Sequence, residues 1–493
     1  MKKLLYIAVI ISMSVLISCG DDFLNQPPRG SLTAGNFPSS ASDAELALNA
    51  CYNSLREWQL ASGGFPLFDM MSDEATKGSN PGDGAAISVY DNFSHTSEEG
   101  SAERYYKTLY QSVRRANLVL TKVPDIDMNS DRQNEILAEA RFLRAYYYGL
   151  LIRSFGAVPM VTEVDPPLDL MRTDPSIIMS DIIVPDLEFG ISVLVEKSQQ
   201  ATSERTRATK GAARGLLARL YMYYNNTVEA EKLLLDIIES GEYDLADSFD
   251  QVFVEENEHG IESLFEVSAL PFSFALGGSQ YANTMGIRGT PNRGWGFGRP
   301  AYTWISKMQD SEDPRLDPTV IFLGEVLGGV ETDGDSSTPD TTYVDGQIVE
   351  IECYNQKIWH SGTNTETSFG HNRRIIRYSD ILLLAAEALT RNDKATDALV
   401  HLNRVRERAR NGNSDILPDI TTTNTDELLD IIMEERNREL ALEGQRFWDL
   451  VRTNRAEEVL GPLGFLPNKN ELLPIPQSEI DISEGRITQN MGY

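Results

Sequence analysis

The stretch Glu435-Arg436-Asn437-Arg438-Glu439-Leu440-Ala441-Leu442-Glu443-Gly444-Gln445-Arg446-Phe447-Trp448-Asp449-Leu450-Val451-Arg452 decides the fold. Its charges alternate with apolar residues too regularly for a helix that lies in solvent. Glu435, Glu439 and Glu443 recur at i, i+4 and i+8, so a helix over 425–443 carries all three on one face. Arg436, Arg446 and Arg452 can offer planar, bidentate donors from neighbouring turns. The reading is a buried ion-pair lattice, with Gly444 as the helix C-cap and Phe447 and Trp448 packed in the core beside it.

Helical periodicity extends outward from this stretch. Ile136, Ala140, Leu143, Tyr147 and Leu151 line one face of an amphipathic helix, and Ala398, Leu402, Val405 and Ala409 repeat the pattern. Further helices are expected near 42–57, 102–122, 176–195, 205–224, 228–240 and 379–391. Short connections at 224–227 and 391–394 make neighbouring helices antiparallel hairpins, and the pair in 205–243 resembles a tetratricopeptide unit. Residues 251–372 differ. Gly, Pro, Asn, Asp and Ser punctuate them, and short alternating runs at 263–267, 319–322 and 349–352 read as strands. A second irregular piece spans 59–100. The fold class is mainly α: helix hairpins forming a scaffold, with a loop-rich region containing a few short strands.

Several blocks carry a family resemblance. Ala145-Tyr146-Tyr147-Tyr148 leads into Phe155-Gly156-Ala157-Val158-Pro159-Met160, followed by Gly215-Leu216-Leu217-Ala218-Arg219-Leu220-Tyr221. Arg377-Tyr378-Ser379-Asp380-Ile381-Leu382-Leu383-Leu384, Leu402-Asn403-Arg404-Val405-Arg406, the 435–452 stretch, Leu473-Pro474-Ile475-Pro476 and the terminal Gln489-Asn490-Met491-Gly492-Tyr493 complete the series. In this order they resemble the SusD/RagB family of nutrient-capturing surface lipoproteins. The resemblance implies a SusD-like fold in one compact unit. It also implies a glycan ligand and a SusC-like TonB-dependent outer-membrane barrel as partner, over which the chain sits as a lid.

The start of the chain is read independently. Lys2 and Lys3 precede an apolar run, Leu4 to Ile17, that ends at Ser18-Cys19-Gly20-Asp21-Asp22. This is a secretory signal, too short to span a bilayer with flanks. Its end resembles a lipobox, so Cys19 is the expected lipidation site and the protein is held at the outer membrane through a lipid anchor, exposed at the cell surface. The expected organisation is a signal peptide over 1–18, a tether over 19–41, a helical N-terminal part over 42–250, the irregular region 251–372 and a helical C-terminal part over 373–493.

Formal charge is −30, and removal of residues 1–18 takes two lysines and makes it −32 on 475 residues. That argues against a nucleic-acid partner and against lying flat on an anionic membrane. Cys51 and Cys353 can form one disulfide or remain buried thiols.

Binding chemistry is sought in the irregular segments. A sugar ring offers a C–H face to aromatic side chains and hydroxyls to Asn, Asp and Arg. Asn292, Arg293 and Trp295 supply both, and glycines on either side of Trp295 can let the indole stand out, or the indole can plug the loop onto the scaffold. In the first irregular piece Asp73, Asn80, Asp83, Tyr90 and Asn92 are candidates for ligand hydroxyls, or else turn and cap residues. No catalytic residues are expected. The 74 acidic residues make carboxylate pairs unremarkable as evidence of a surface glycoside hydrolase, and neither a His-Glu-x-x-His zinc motif nor a Gly-x-Ser-x-Gly elbow occurs. Asp333, Asp335, Asp340 and Asp345 could hold calcium, but their order is not that of an EF-hand, and a solvated acidic loop is the preferred reading, with no cofactor. The function expected is capture of an oligosaccharide or polysaccharide nutrient without chemical change, a peptide-binding RagB-like role being the alternative.

Overall fold

The computed structural model describes residues 37–493 apart from 62–66, 273–276, 292–293, 337 and 360–369. The expectations for the signal segment, Cys19, Asn292 and Arg293 lie outside the described residues.

The longer helices are α1 (Ala41–Ser54), α2 (Gly100–Lys122), α3 (Ser130–Phe155), α4 (Val184–Val193), α5 (Lys210–Tyr223), α6 (Thr227–Glu239), α7 (Tyr302–Asp310), α8 (Tyr378–Arg391), α9 (Ala395–Ala409), α10 (Thr425–Glu439) and α11 (Arg446–Arg452). Their starts follow local chemistry. Asn129 caps α3 by accepting from the N–H groups of Asp131 and Arg132, Thr209 caps α5, and Asn424 caps α10. The helices stack in sequence: α2 on α3, α3 on α4, α4 on α5, α5 on α6, α6 on α8, and α8 on both α9 and α10. The hairpins α5/α6 and α8/α9 turn through left-handed Asn225 (φ +58°) and Asp393 (φ +61°), residue types that tolerate that region. Gly149 of α3 lets Leu220 of α5 approach to where a Cβ would lie 3.2 Å from its methyl groups.

The helix expected over 176–195 is interrupted. A π-helical turn, Met179–Ile183, separates Pro175–Ile178 from α4, next to Pro185, which has no N–H to donate to an α-helical ladder.

Strands are short and antiparallel: β1 (Ala75–Gly78), β2 (Ser263–Val267), β3 (Phe297–Pro300), β4 (Val320–Phe322), β5 (Thr341–Val344), β6 (Gln347–Ile351), β7 (Cys353–Asn355) and β8 (Arg373–Arg377). They pair as β1–β3, β2–β8, β4–β7 and β5–β6. Cys51 and Cys353 are buried free thiols, and burial pushes both up to about 12.

The ion-pair lattice is present, with partners other than those expected. Arg315 Nη1 donates to Glu435 at 2.6 Å and Glu439 at 3.2 Å, and Arg406 donates to Glu435 at 2.6 Å. Arg377 donates to Glu262 at 2.6 Å, Glu439 at 3.1 Å and Glu443 at 2.8 Å, while Arg408 reaches Glu262 and Glu439. Lys357 donates to Glu443 at 2.7 Å. The nearby arginines face elsewhere. Arg436 bridges Asp380 and Asp449, Arg452 holds Glu387 and Asp449, and Arg446 grips Asp73. The reason is angular: Arg436 follows Glu435 by one residue, about 100° around the helix, and so meets α8 instead. Gly444 is also corrected. The helix ends at Glu439, and Gly444 (φ +72°) closes the turn after it, donating its N–H to Asp69 at 2.7 Å.

This charge network sets the acid stability. Two arginines, Arg452 and Arg391, hold the buried Glu387 carboxyl down to about 2, and Arg219 with Arg436 holds Asp380 well below the usual carboxylate range; in both, ion pairing outweighs burial. A carboxylate depressed in the folded state adds stability that is present above its unfolded pKa and lost as pH falls through the folded one. Glu387 therefore contributes on the order of 3 kcal/mol at neutral pH, lost between about pH 4.5 and pH 2. Urea titrations at stepped pH should show Glu387→Gln strongly destabilised at pH 7, with its gap from the wild type closing as pH approaches 2. A pH-independent gap would contradict this account.

Candidate functional site: an aromatic loop platform

The two irregular segments singled out by sequence meet through the β1–β3 ladder, in which Ala75 pairs with Pro300, Thr76 with Arg299 and Gly78 with Phe297. The Ser79 N–H extends it onto the Gly296 carbonyl at 2.7 Å. On its other side the Trp295 segment runs along the short helix Tyr281–Met285 and the chain after it: the Trp295 N–H donates to Asn283 O at 2.8 Å and the Gly296 N–H to Gly286 O at 2.9 Å. A Cβ on Gly294 would lie 2.5 Å from the Gly286 backbone, and one on Gly78 would lie 2.5 Å from Gly296 O. The glycines around Trp295 thus serve close approach of backbones. The indole is partly buried against the main core, and it keeps a share of its surface in solvent.

A second indole shares this support. Trp58, just after α1, donates its Nε1–H to Thr284 Oγ1 at 3.2 Å and is partly exposed. Trp304 and Trp448 are buried in the core, as expected for Trp448. Arg373 lies over the Tyr281 ring, 5.6 Å from its centroid, and donates to Leu60 O. Asn283 is 2% exposed and its Oδ1 has no hydrogen-bond partner.

The remaining sequence candidates are distributed as follows. Asp73 is held by Arg446 in a bidentate pair at 2.7 and 2.9 Å, so it anchors the loop. Asn80 closes an Asx turn onto the Gly82 N–H at 2.9 Å, and its carbonyl accepts from Lys77 Nζ at 3.1 Å. Asp83 pairs with Arg288, which also takes Asp335 of the acidic loop. Asn92 is exposed and caps Ser94 at 3.1 Å. Tyr90 requires a correction: it is wholly buried, stacks on His95, and gives its hydroxyl to Glu99, leaving no surface for a ligand. Among the described residues no three His, Cys, Asp or Glu side chains gather as metal ligands.

Electrostatics hold the platform in place. The Asp91 carboxyl accepts the Lys77 N–H at 2.7 Å, and burial pushes it up to about 7. Glu74 accepts from Asn437 Nδ2 at 2.7 Å and the Leu442 N–H at 3.2 Å, and burial raises it to about 8. With Asp69 on Gly444 and Asp73 on Arg446, these bonds fasten the segment leading into β1 to the turn that follows α10. Sequence reading missed Trp58, Tyr281, Arg288 and Arg373. Trp58 alone had a local signal, an aromatic just before the Ser62-Gly63-Gly64 break.

Comparison with known proteins agrees with this architecture. Residues 297–493 match the family model described as the SusD family, and residues 22–222 match one described as starch-binding associating with outer membrane. SusD-like protein P2 of Formosa agariphila is 26% identical over 99% of both chains, and a SusD-like protein of Bacteroides ovatus is 25% identical over 91% of this chain and 82% of its own. Among solved structures, a laminarin binding SusD-like protein is 26% identical with a TM-score of 0.77, covering 92% of this chain and 100% of its own. Surface glycan-binding protein A from Bacteroides thetaiotaomicron, in complex with laminarihexaose, is 25% identical with the same TM-score and the same coverage of both chains. No helix among the described residues is long and apolar enough to cross a membrane. Both family models are matched in chain order and the helix stack is shared with these structures, so the chain is SusD-like in its N-terminal and C-terminal parts alike.

Proposed function

We propose that this protein captures an oligosaccharide at the cell surface on the Trp58–Trp295 platform and delivers it, chemically unchanged, to a SusC-like TonB-dependent barrel, while a lipid on Cys19 tethers it to the outer membrane. The observation that carries the reading is a pair of partly exposed tryptophans tied to one short helix, Tyr281–Met285, Trp58 through its indole N–H and Trp295 through its backbone N–H, at the junction of two loop segments. Rigid, partly exposed aromatic faces suit the C–H faces of sugar rings, and Arg288, Asp83 and Asn80 lie on the same loops to meet hydroxyls. The similarity to a laminarin binding protein and to one complexed with laminarihexaose supports a glucan ligand. The acidic surface favours solubility and disfavours adhesion to anionic lipid, which suits a tethered receptor.

The test is isothermal titration of residues 20–493 with laminari-oligosaccharides, malto-oligosaccharides and peptides, followed by chromatography of each mixture. Saturable binding of a glycan recovered intact is expected. Binding of peptides alone would sink the glycan reading, and appearance of shortened oligosaccharides would sink the non-catalytic one.

A further inference from the structure

Away from the platform, β2 runs out into Ser268, which lines a groove of about 640 Å³ between α1, the 203–207 segment and residues 266–270. Behind it lies His259, whose Nε2 is 2.9 Å from Ser268 Oγ. The ring tautomer follows from Asn372. Its Oδ1 accepts the Ala269 N–H at 2.8 Å, which turns Nδ2 toward His259 Nε2 at 3.1 Å and Glu266 Oε2 at 3.0 Å. An amide NH₂ only donates, so Nε2 is an acceptor and the ring proton resides on Nδ1. Nδ1 faces the buried Glu266 carboxylate at 3.9 Å, and the His259 N–H donates to that same oxygen at 3.1 Å. The Ser268 hydroxyl and the Asn372 amide therefore share the single acceptor lone pair of Nε2, at 2.9 and 3.1 Å. His259 is kept in this position with φ +55°, a left-handed conformation uncommon for a side-chain-bearing residue.

We infer that Ser268 and His259 form a nucleophile–base pair that hydrolyses acyl esters entering this groove. Ser268 Oγ attacks the ester carbonyl carbon while its proton passes to His259 Nε2. The bond from carbon to the alkoxy oxygen then breaks, the proton leaves Nε2 with the alcohol, and an acyl-Ser268 remains. Water, deprotonated by the same nitrogen, releases the carboxylic acid and restores the serine. Arg56 and Arg207 line the groove, Arg207 paired with Glu139 and Arg56 donating to Gly278 O at 2.7 Å, and Leu46 and Leu270 offer an apolar lip to the acyl chain. Burial, with Arg374 of β8 and Lys197 and Arg205 of the segment before α5, lowers the His259 pKa against the pull of Glu266, so the base is free at neutral pH.

The experiment treats the full chain with a fluorophosphonate probe and with 4-nitrophenyl acetate, comparing the wild type with Ser268→Ala and His259→Gln. One phosphonyl group per chain on Ser268 is expected, together with release of 4-nitrophenol. Both should be lost in Ser268→Ala and slowed at least tenfold in His259→Gln. The pH profile should reach its plateau around or below neutrality, because the base titrates below the ordinary histidine value of about 6.5. Labelling no greater than in Ser268→Ala, no ester turnover, or an unaltered rate in His259→Gln would each overturn the inference. Thermal melting and glycan titration of Ser268→Ala should match the wild type, which separates this outcome from the fate of the receptor reading.

Discussion

Replacing Arg377 by Met is expected to remove about 3–5 kcal/mol of folding stability, the cost of breaking a buried charge pair by deleting one partner. Arg377 is 1% exposed and is shared among Glu262, Glu439 and Glu443, and it also donates to Ser379 Oγ and the Glu439 carbonyl. Met fills a similar volume, so the loss measures charge and hydrogen bonding more than a cavity. A protein with about 5–15 kcal/mol of total stability would be left with a fraction of it. The effect should extend to the platform, because the turn after Glu439 receives Glu74 and Asp69 from the segment that feeds β1. Urea denaturation followed by tryptophan fluorescence is the measurement. The double variant Arg377→Met with Glu439→Met restores charge balance and should recover at least about 1 kcal/mol relative to the sum of the single changes. Strict additivity, or a single-variant loss below about 1 kcal/mol, would show that the lattice is not a coupled unit.

The lattice also marks how far sequence alone can be read. The i, i+4, i+8 carboxylates could be recognised because a helix converts spacing into direction without reference to the rest of the chain. Their partners could not. Arg406 lies 29 residues from Glu435 and Arg315 lies 124 from Glu439, and only the helix stack brings them together. Helix hairpins were legible for the same local reason, from periodicity and short polar connections. At the platform, Trp295 stood out through its glycines, yet those glycines serve backbone approach to 283–287 and to β1, a fact of tertiary contact. Tyr90 was misplaced because a Tyr in a polar loop looks the same whether its hydroxyl meets a sugar or, as here, Glu99.

Replacing Trp295 by Ala is expected to weaken glycan affinity by at least about 2 kcal/mol, roughly thirtyfold, as for a central aromatic anchor. The side chain packs partly on the core, so the variant also loses contact area within the fold. The backbone bonds from residue 295 to Asn283 and from Gly296 to Gly286 and Ser79 do not depend on the indole, and they should keep the loop in place. Trp58→Ala removes the indole anchored on Thr284 and should weaken binding in the same direction, with fold stability less affected because the residue lies at the end of a short surface helix. Titration calorimetry at a temperature where both variants are folded measures this. If the two indoles contact one ligand, the double variant should lose less than the sum of the single losses, since each already disrupts the same stacked rings. Unaltered affinity in both single variants would remove the platform as the binding surface and redirect attention to the polar loops around Arg288 and Asp83, whose ion pair would then be the next contact to break.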